Sequence, residues 1–211
     1  MKDLLLIDKP KGITSFDCIR ILRKKLGIKK MGHAGTLDPL ATGLMIIGLN
    51  EGTKKLNDYL KLPKTYLATI RLGIKTDTGD LEGKVVVQEE VKELLLEEIK
   101  EAGASLIGEN ELEVPKYSAI KKNGKALYKY AREGQEVEVP IKKMVVNEAK
   151  VISYNHPDIE IEFDVESGVY IRSLAEELGR RLNAPATLVD LRRTRVGEFR
   201  VEEAELLDRE V

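Results

Sequence analysis

Gly32-His33-Ala34-Gly35-Thr36-Leu37-Asp38-Pro39-Leu40-Ala41-Thr42-Gly43 is the stretch around which the rest of the chain reads. Three glycines and a proline in twelve residues exclude a regular helix or a central strand. A linker would be rich in Ser, Lys or Glu, yet this stretch is nearly uncharged in a chain that is 34% charged. Glycine lets backbone approach a ligand closely. Within the stretch, His33 and Asp38 are the two side chains suited to acid–base or nucleophilic chemistry. Taken alone, Asp38-Pro39 is a common turn opener, because the carboxylate bonds nearby backbone N–H groups. A lone His33 is more often structural than catalytic.

Outward from this loop, composition narrows the field. The chain has 211 residues, 42% of them hydrophobic, with 35 basic against 36 acidic side chains. It is long enough to bury a full core and reads as soluble and globular. No apolar run has the length of a bilayer span, and the N-terminus lacks the apolar stretch and cleavage site of a signal peptide. The single cysteine, Cys18, excludes an internal disulfide and fits a reducing cytoplasm. One cysteine and two histidines leave little for a structural zinc site. There is no Walker A loop, no Gly-x-Gly-x-x-Gly and no Gly-x-Ser-x-Gly elbow, so nucleotide, dinucleotide and serine-hydrolase readings have no motif behind them.

Net charge of −1 does not advertise a nucleic-acid binder, but the distribution does more. Residues 89–113 are acidic and residues 116–143 are basic. In the basic segment Tyr117, Tyr128 and Tyr130 interleave with Lys121, Lys125, Arg132 and their neighbours. Cations neutralise phosphates and aromatic rings stack on bases, so this is a surface that suits RNA. A basic face opposite an acidic back reconciles RNA binding with a near-neutral total.

The flanking pattern alternates strands and helices. Leu4–Ile7 reads as a short buried strand, and a helix capped by Thr14 or Ser15 runs to Gly27. Leu44–Leu49 is a continuous apolar run, hence a buried strand, with a helix near Thr53 to Leu60 after it. Lys64–Gly73 alternates as a strand carrying Tyr66. Asp77 and Asp80 read as turn formers. Val91–Ala102 reads as an acidic amphipathic helix, and Gly103–Val114 as irregular. Asn123-Gly124 signals a hairpin turn, with a short helix over Ala126–Arg132. Met144–Ile152 and Ile159–Val165 alternate as strands, joined by a hairpin-like connection with His156 as an exposed turn residue. A strand-to-helix turn follows at Ser167–Gly179, and Leu188–Phe199 closes the core as a strand.

Four ordered blocks resemble the bacterial tRNA pseudouridine synthase B family. They are the Gly32–Gly43 loop, the Tyr117–Gly134 segment, Gly168-Val169-Tyr170-Ile171-Arg172, and Leu191-Arg192-Arg193 with Gly197. The Lys-Pro-Lys-Gly-Ile-Thr-Ser opening and the Lys64-Thr65-Tyr66 triplet are similar to the family as well. The resemblance implies a mixed α/β (α+β) pseudouridine synthase fold, a largely antiparallel central sheet flanked by helices. It implies one catalytic domain over 1–211, with a mobile RNA-binding insertion at about 117–143. The chain ends soon after the last block, so a short form without the family's C-terminal RNA-binding domain is expected.

The implied reaction converts the T-loop uridine of tRNA, conventionally position 55, to pseudouridine. The base is flipped out, the C1′–N1 bond is cleaved, and the uracil rejoins through C5. Asp38 is the implied catalytic aspartate, Tyr66 stacks on the target base, and Arg172 pairs with the aspartate. His33 helps hold the everted loop, Tyr170 packs in the site and Leu191 packs beneath the base. Lys121, Lys125, Arg132 and Arg192 are expected RNA contacts, as are Arg193 and Arg195. An aspartate shielded from water needs an arginine fork to stay ionised and aimed. Removing Arg172 is therefore expected to abolish activity with the fold intact.

The isomerisation adds and removes nothing, so no cofactor and no metal are expected. The expected partner is the T-arm stem-loop of tRNA, with no membrane, and the protein is expected to be a cytoplasmic monomer. Lys116 departs from the family, which more often has a proline or apolar residue before the tyrosine. Two alternatives stand beside this reading: the catalytic subunit of a guide-RNA pseudouridylation particle, and a tRNA-folding RNA chaperone.

Overall fold

The computed structural model describes residues 3–207. The chain opens with β1 (Leu4–Lys9), α1 (Ser15–Leu26), β2 (Met31–His33) and β3 (Thr42–Leu49). A 3-10 helix (Asn50–Lys55) leads into α2 (Leu56–Leu60), β4 (Lys64–Leu72), β5 (Ile74–Thr76) and β6 (Val85–Gln88). Next come α3 (Leu96–Ser105), β7 (Gly108–Glu113), β8 (Lys121–Lys122), β9 (Lys125–Ala126) and α4 (Leu127–Arg132). The rest is β10 (Ile141–Asn155), β11 (Asp158–Val165), α5 (Ile171–Arg181), β12 (Ala186–Val196), β13 (Phe199–Arg200) and β14 (Glu205–Leu206). The pairing is largely antiparallel, with β1–β14 and β3–β12 parallel, and helices complete the expected mixed α/β class.

Contacts divide the chain into two compact units. The first comprises the chain up to Leu67, Phe163–Ser167 and the chain from Asp190 onwards. Its strands run β14-β1-β3-β12, with β2 paired to β3 and β13 to β12. The apolar run of β3 is buried from Gly43 to Leu49, as a strand covered on both faces requires. Leu44 and Ile46 join Ala34, Leu56, Val196 and Val201 in one core cluster. Helix α1 starts at the expected cap. Thr14 Oγ1 accepts from the Asp17 amide (3.1 Å) while Asp17 Oδ2 accepts from the Thr14 amide (2.8 Å). It stops at Gly27, whose φ of 68° only glycine adopts at little cost.

The second unit comprises Ala68–Glu162 and Gly168–Val189, with strand order β11-β10-β7. Two sequence expectations are corrected here. The acidic helix begins at Leu96, not Val91, because the preceding amides are spent elsewhere. The Leu94 amide donates to the Tyr154 hydroxyl (3.3 Å), and the Leu95 amide to Glu98 Oε2 (2.7 Å) as a helix cap. Gly103–Val114 is not irregular. The helix continues to Ser105, and Gly108–Glu113 forms β7 in antiparallel register with Ile141–Val146 of β10. Gly-Glu-Asn-Glu-Leu-Glu is poor in strand formers, so tertiary pairing overrides local preference. The Asn123-Gly124 turn is as expected, with φ of 53° and 79°, and joins β8 to β9.

Glu177 ties this unit together from the buried face of α5. Its carboxylate accepts two bonds from Arg180 (2.7 Å each) and one from Arg181 Nε (2.8 Å). Arg181 continues to Asn110 Oδ1 of β7 (2.7 Å) and Ser105 Oγ of α3 (2.8 Å). The Arg180 hydrogen bonds hold the Glu177 carboxyl below the ordinary glutamate range. Its stabilisation is therefore complete above that range and drains away as pH falls through the depressed value. Glu177→Gln should lower stability at neutral pH by about 1–2 kcal/mol, since Arg180 is solvent-facing. Urea unfolding at neutral and acid pH checks this: the difference between variant and wild type should shrink in acid.

Candidate active site

The Asp38 turn lies in the first unit, between β2 and β3, and its backbone is held at several points. The Ala41 amide donates to the Asp38 carbonyl (3.0 Å), the tight turn that Asp-Pro favours. Ser15 Oγ grips the residue before Asp38 twice, donating to the Leu37 carbonyl (3.0 Å) and accepting from its amide (2.8 Å). The Gly12 amide donates to the Pro39 carbonyl (2.8 Å). Lys9 is wholly buried, and its Nζ donates to the carbonyls of Ala41 (2.6 Å), Pro10 (3.1 Å) and Pro39 (3.4 Å). Arg193 is also buried, with Nε donating to the Leu44 carbonyl (2.7 Å) and Nη2 to the Gly35 carbonyl (3.2 Å). The Asp38 side chain itself is half-buried.

Arg193 thereby departs from the expectation of a phosphate contact: its guanidinium is spent on the protein's own carbonyls. Sequence reasoning missed this inward role and that of Lys9, because buried lysines and arginines are rare. It missed Lys64 too. Lys64 is buried at the start of β4, its Nζ donating to the carbonyls of Leu62 (2.5 Å) and Leu60 (3.0 Å). Burial, then the nearby Arg193 charge, pulls its ammonium down to about 8.

The other first-unit candidates lie on β2, β4 and β12. Tyr66 and Leu191 are buried, on β4 and β12. Beside Tyr66 in sequence, Thr65 Oγ1 donates to Asp164 Oδ2 (2.9 Å) and accepts from Arg195 Nε (3.0 Å), while Arg195 Nη2 reaches Asp164 at 2.5 Å. Arg192 forms a fork on Asp8 (2.6 and 3.1 Å). His33 is half-buried, and burial followed by the Arg193 charge lowers its imidazole below the ordinary histidine value. It is therefore a neutral ring near pH 7, able to stack or to share one proton.

The remaining candidates lie in the second unit. Arg172 is 6% exposed, at the start of α5. Nη1 donates to the Thr78 carbonyl (2.9 Å) and Nη2 to the Tyr117 carbonyl (3.1 Å), while Nε lies 3.8 Å from Asp80 Oδ2. Asp80 is a turn former, as expected, accepting from Thr78 Oγ1 (2.6 Å) and the Glu82 amide (3.1 Å). It is also a buried anion beside Arg172, a role its turn-like sequence context concealed. Tyr170 packs against the Val114, Leu127 and Met144 cluster.

In the basic segment, Lys121 is exposed and Lys125 Nζ lies 4.4 Å from the Tyr130 ring centroid. Lys125 also bonds Glu133 Oε2 (2.5 Å) and Gln135 Oε1 (3.1 Å), and the Arg132 guanidinium lies 5.4 Å from the Tyr128 ring. Lys122 is paired with Glu138 (3.0 Å). Among the described residues no group of three His, Cys, Asp or Glu is placed to hold a metal ion. No described helix is long and apolar enough to cross a membrane.

Comparison with known proteins adds an independent line. The tRNA pseudouridine synthase B of Caldicellulosiruptor saccharolyticus is 44% identical over 99% of this chain and 72% of its own length. That of Aromatoleum aromaticum is 44% identical over 95% of this chain and 65% of its own length. Among solved structures, one described as a Cbf5-Nop10-Gar1 complex matches 97% of this chain at 26% identity with a TM-score of 0.76. This chain spans about half (52%) of that one. The model of the TruB family pseudouridylate synthases (N terminal domain) matches residues 23–171, more than half of the sequence. With the family's signature loop folded around Asp38 and relatives of this identity along its length, the chain belongs to the TruB family of pseudouridylate synthases.

Proposed function

We propose that the protein isomerises the T-loop uridine of tRNA, at position 55, to pseudouridine, acting as a single catalytic domain. The observation that carries this is the Asp38 turn, whose backbone is clasped by Ser15, Lys9 and Arg193. A carboxylate held on a fixed turn can meet one ribose orientation repeatedly, which is what proton abstraction or nucleophilic attack requires. The names of the 44% identical relatives support tRNA as the RNA. That identity exceeds the 26% to the Cbf5 complex, which favours the tRNA reading over a guide-RNA particle.

In this reading the uridine is flipped from its stack and held against Tyr66 and Leu191. Asp38 drives cleavage of the C1′–N1 bond, and the freed uracil turns and rejoins through C5. Arg172 keeps Asp38 ionised, His33 supports the everted loop, and Tyr170 shapes the site. Lys121, Lys125, Arg132 and Arg192 contact the RNA backbone, the first three from an insertion at about 117–143 that closes on the T-arm.

The test uses a T-arm stem-loop RNA with tritium at C5 of the target uridine. The wild-type chain alone, with no cofactor and no guide RNA, should release the label to completion. Absence of release from both the stem-loop and full tRNA would overturn the reading. Release only with an added guide RNA would replace it by the particle-subunit alternative.

A further inference from the structure

Both ends of the Asp38 turn are bonded to one side chain. Arg193 sits on β12 in parallel register with Gly43, the second residue of β3. The strands are so close here that a Cβ on Gly43 would run into the Arg193 carbonyl and lie 2.7 Å from its amide nitrogen. Gly43 also has φ +107°, which disfavours any other residue. From this anchored backbone the guanidinium reaches back through the loop. Nε takes the Leu44 carbonyl at the far end (2.7 Å) and Nη2 takes the Gly35 carbonyl at the near end (3.2 Å). A Cβ on Gly35 would lie 3.3 Å from Nη1, so the near end is fitted to the fork as well.

Arg193 is 1% exposed, and Lys64, a second buried cation, lies beside it with its Cε 3.7 Å from the same Gly35 position. Burying cations together is unfavourable unless hydrogen bonds satisfy them. Here the bonds of Arg193 go to the carbonyls that bracket Asp38, and those of Lys64 to the carbonyls of Leu60 and Leu62. A rigid planar fork spans two carbonyls at fixed separation, whereas a lysine ammonium presents one point.

We propose that Arg193 is a positioning residue of the isomerisation, clamping Gly35 to Leu44 so that the Asp38 carboxylate keeps one orientation. For the reaction this rests on the synthase reading above. For the clamp it rests on the two carbonyl bonds alone. A phosphate-binding arginine on an RNA surface would act differently: its loss would weaken RNA binding and leave turnover of bound RNA intact.

The experiment compares Arg193→Lys and Arg193→Gln with wild type in the full chain. The readouts are kcat and KM for label release, thermal unfolding, and NMR of the Gly35–Leu44 amides and the His33 ring. Arg193→Lys keeps a cation near His33, so the ring should titrate as in wild type, while kcat falls about 10–100-fold with KM nearly unchanged. Its Gly35–Leu44 amides should show added mobility while the rest of the spectrum is retained. Arg193→Gln should lose at least as much kcat and also raise the His33 titration, since the nearby charge is gone.

If Arg193→Lys keeps kcat within twofold of wild type, or raises KM with kcat unchanged, the clamp is overturned. A wild type without label release defeats the synthase reading instead, and the amide mobility of Arg193→Lys then decides the clamp: unchanged relaxation sinks it. Should Arg193→Gln fail to fold, Arg193→Lys carries the comparison.

Discussion

Asp38→Asn should bring label release to background, at least about 10³-fold below wild type, while RNA binding persists. Asparagine matches the aspartate in size and can accept hydrogen bonds, but carries no charge and no basic oxygen. The bonds that shape the turn run through backbone atoms: Ala41 to the Asp38 carbonyl, Ser15 to Leu37, Lys9 to Ala41 and Arg193 to Gly35. None of them uses the carboxylate, so the variant should keep these backbone bonds and the shape of the turn, which thermal unfolding checks. A stem-loop mobility shift should give an affinity close to wild type. Turnover above a tenth of wild type would remove Asp38 from the centre of the reaction.

Arg172→Ala should also lose turnover, at least about 10²-fold, if Arg172 acts as the ionising partner proposed above. From the sequence this loss is expected with the fold intact, and the structure changes that half of the expectation. Arg172 is buried with Asp80 and bonds the carbonyls of Thr78 and Tyr117. Truncation strands a buried carboxylate and two carbonyls, which should cost about 3 kcal/mol of stability. Arg172→Lys keeps the charge beside Asp80 but loses the fork, so it should regain most of the stability and little of the activity. Urea unfolding together with label release separates the two effects. Wild-type turnover in Arg172→Lys would show that charge alone, without the fork geometry, suffices.

Much of this was legible in the sequence because local chemistry and global structure agree there. The Thr14 cap, the Gly27 stop, the apolar run of β3 and the Asn123-Gly124 turn each carry their own physical reason. The Asp38 turn was visible from its Gly and Pro content. What escaped was set by partners distant in sequence. β7 forms from a glutamate-rich hexapeptide because β10 pairs with it. α3 starts late because Tyr154 and Glu98 take the amides before it. Arg193 is expected on phosphate and nothing local marks Lys9 or Lys64, yet each is buried on carbonyls of its own chain. Asp80 read as a turn residue, and the arginine beside it in space lies far along the chain. Side-chain charge indicates solvent exposure only where no backbone carbonyl is waiting to replace the water.

Some cations of the basic segment are already paired with carboxylates. Lys122 holds Glu138, Lys125 holds Glu133 and lies near Tyr130, and Arg132 lies near Tyr128. In the binding mode proposed above, an RNA backbone arriving here would replace a carboxylate tethered to the same chain, so the protein would exchange ligands where it would otherwise gain them. Counterions condensed on the RNA are still released, but part of the electrostatic gain goes into displacing Glu133 and Glu138. On that proposal the acidic neighbours would act as a built-in competitor, weakening the grip on arbitrary polyanions and leaving discrimination to a substrate shaped to fill the site.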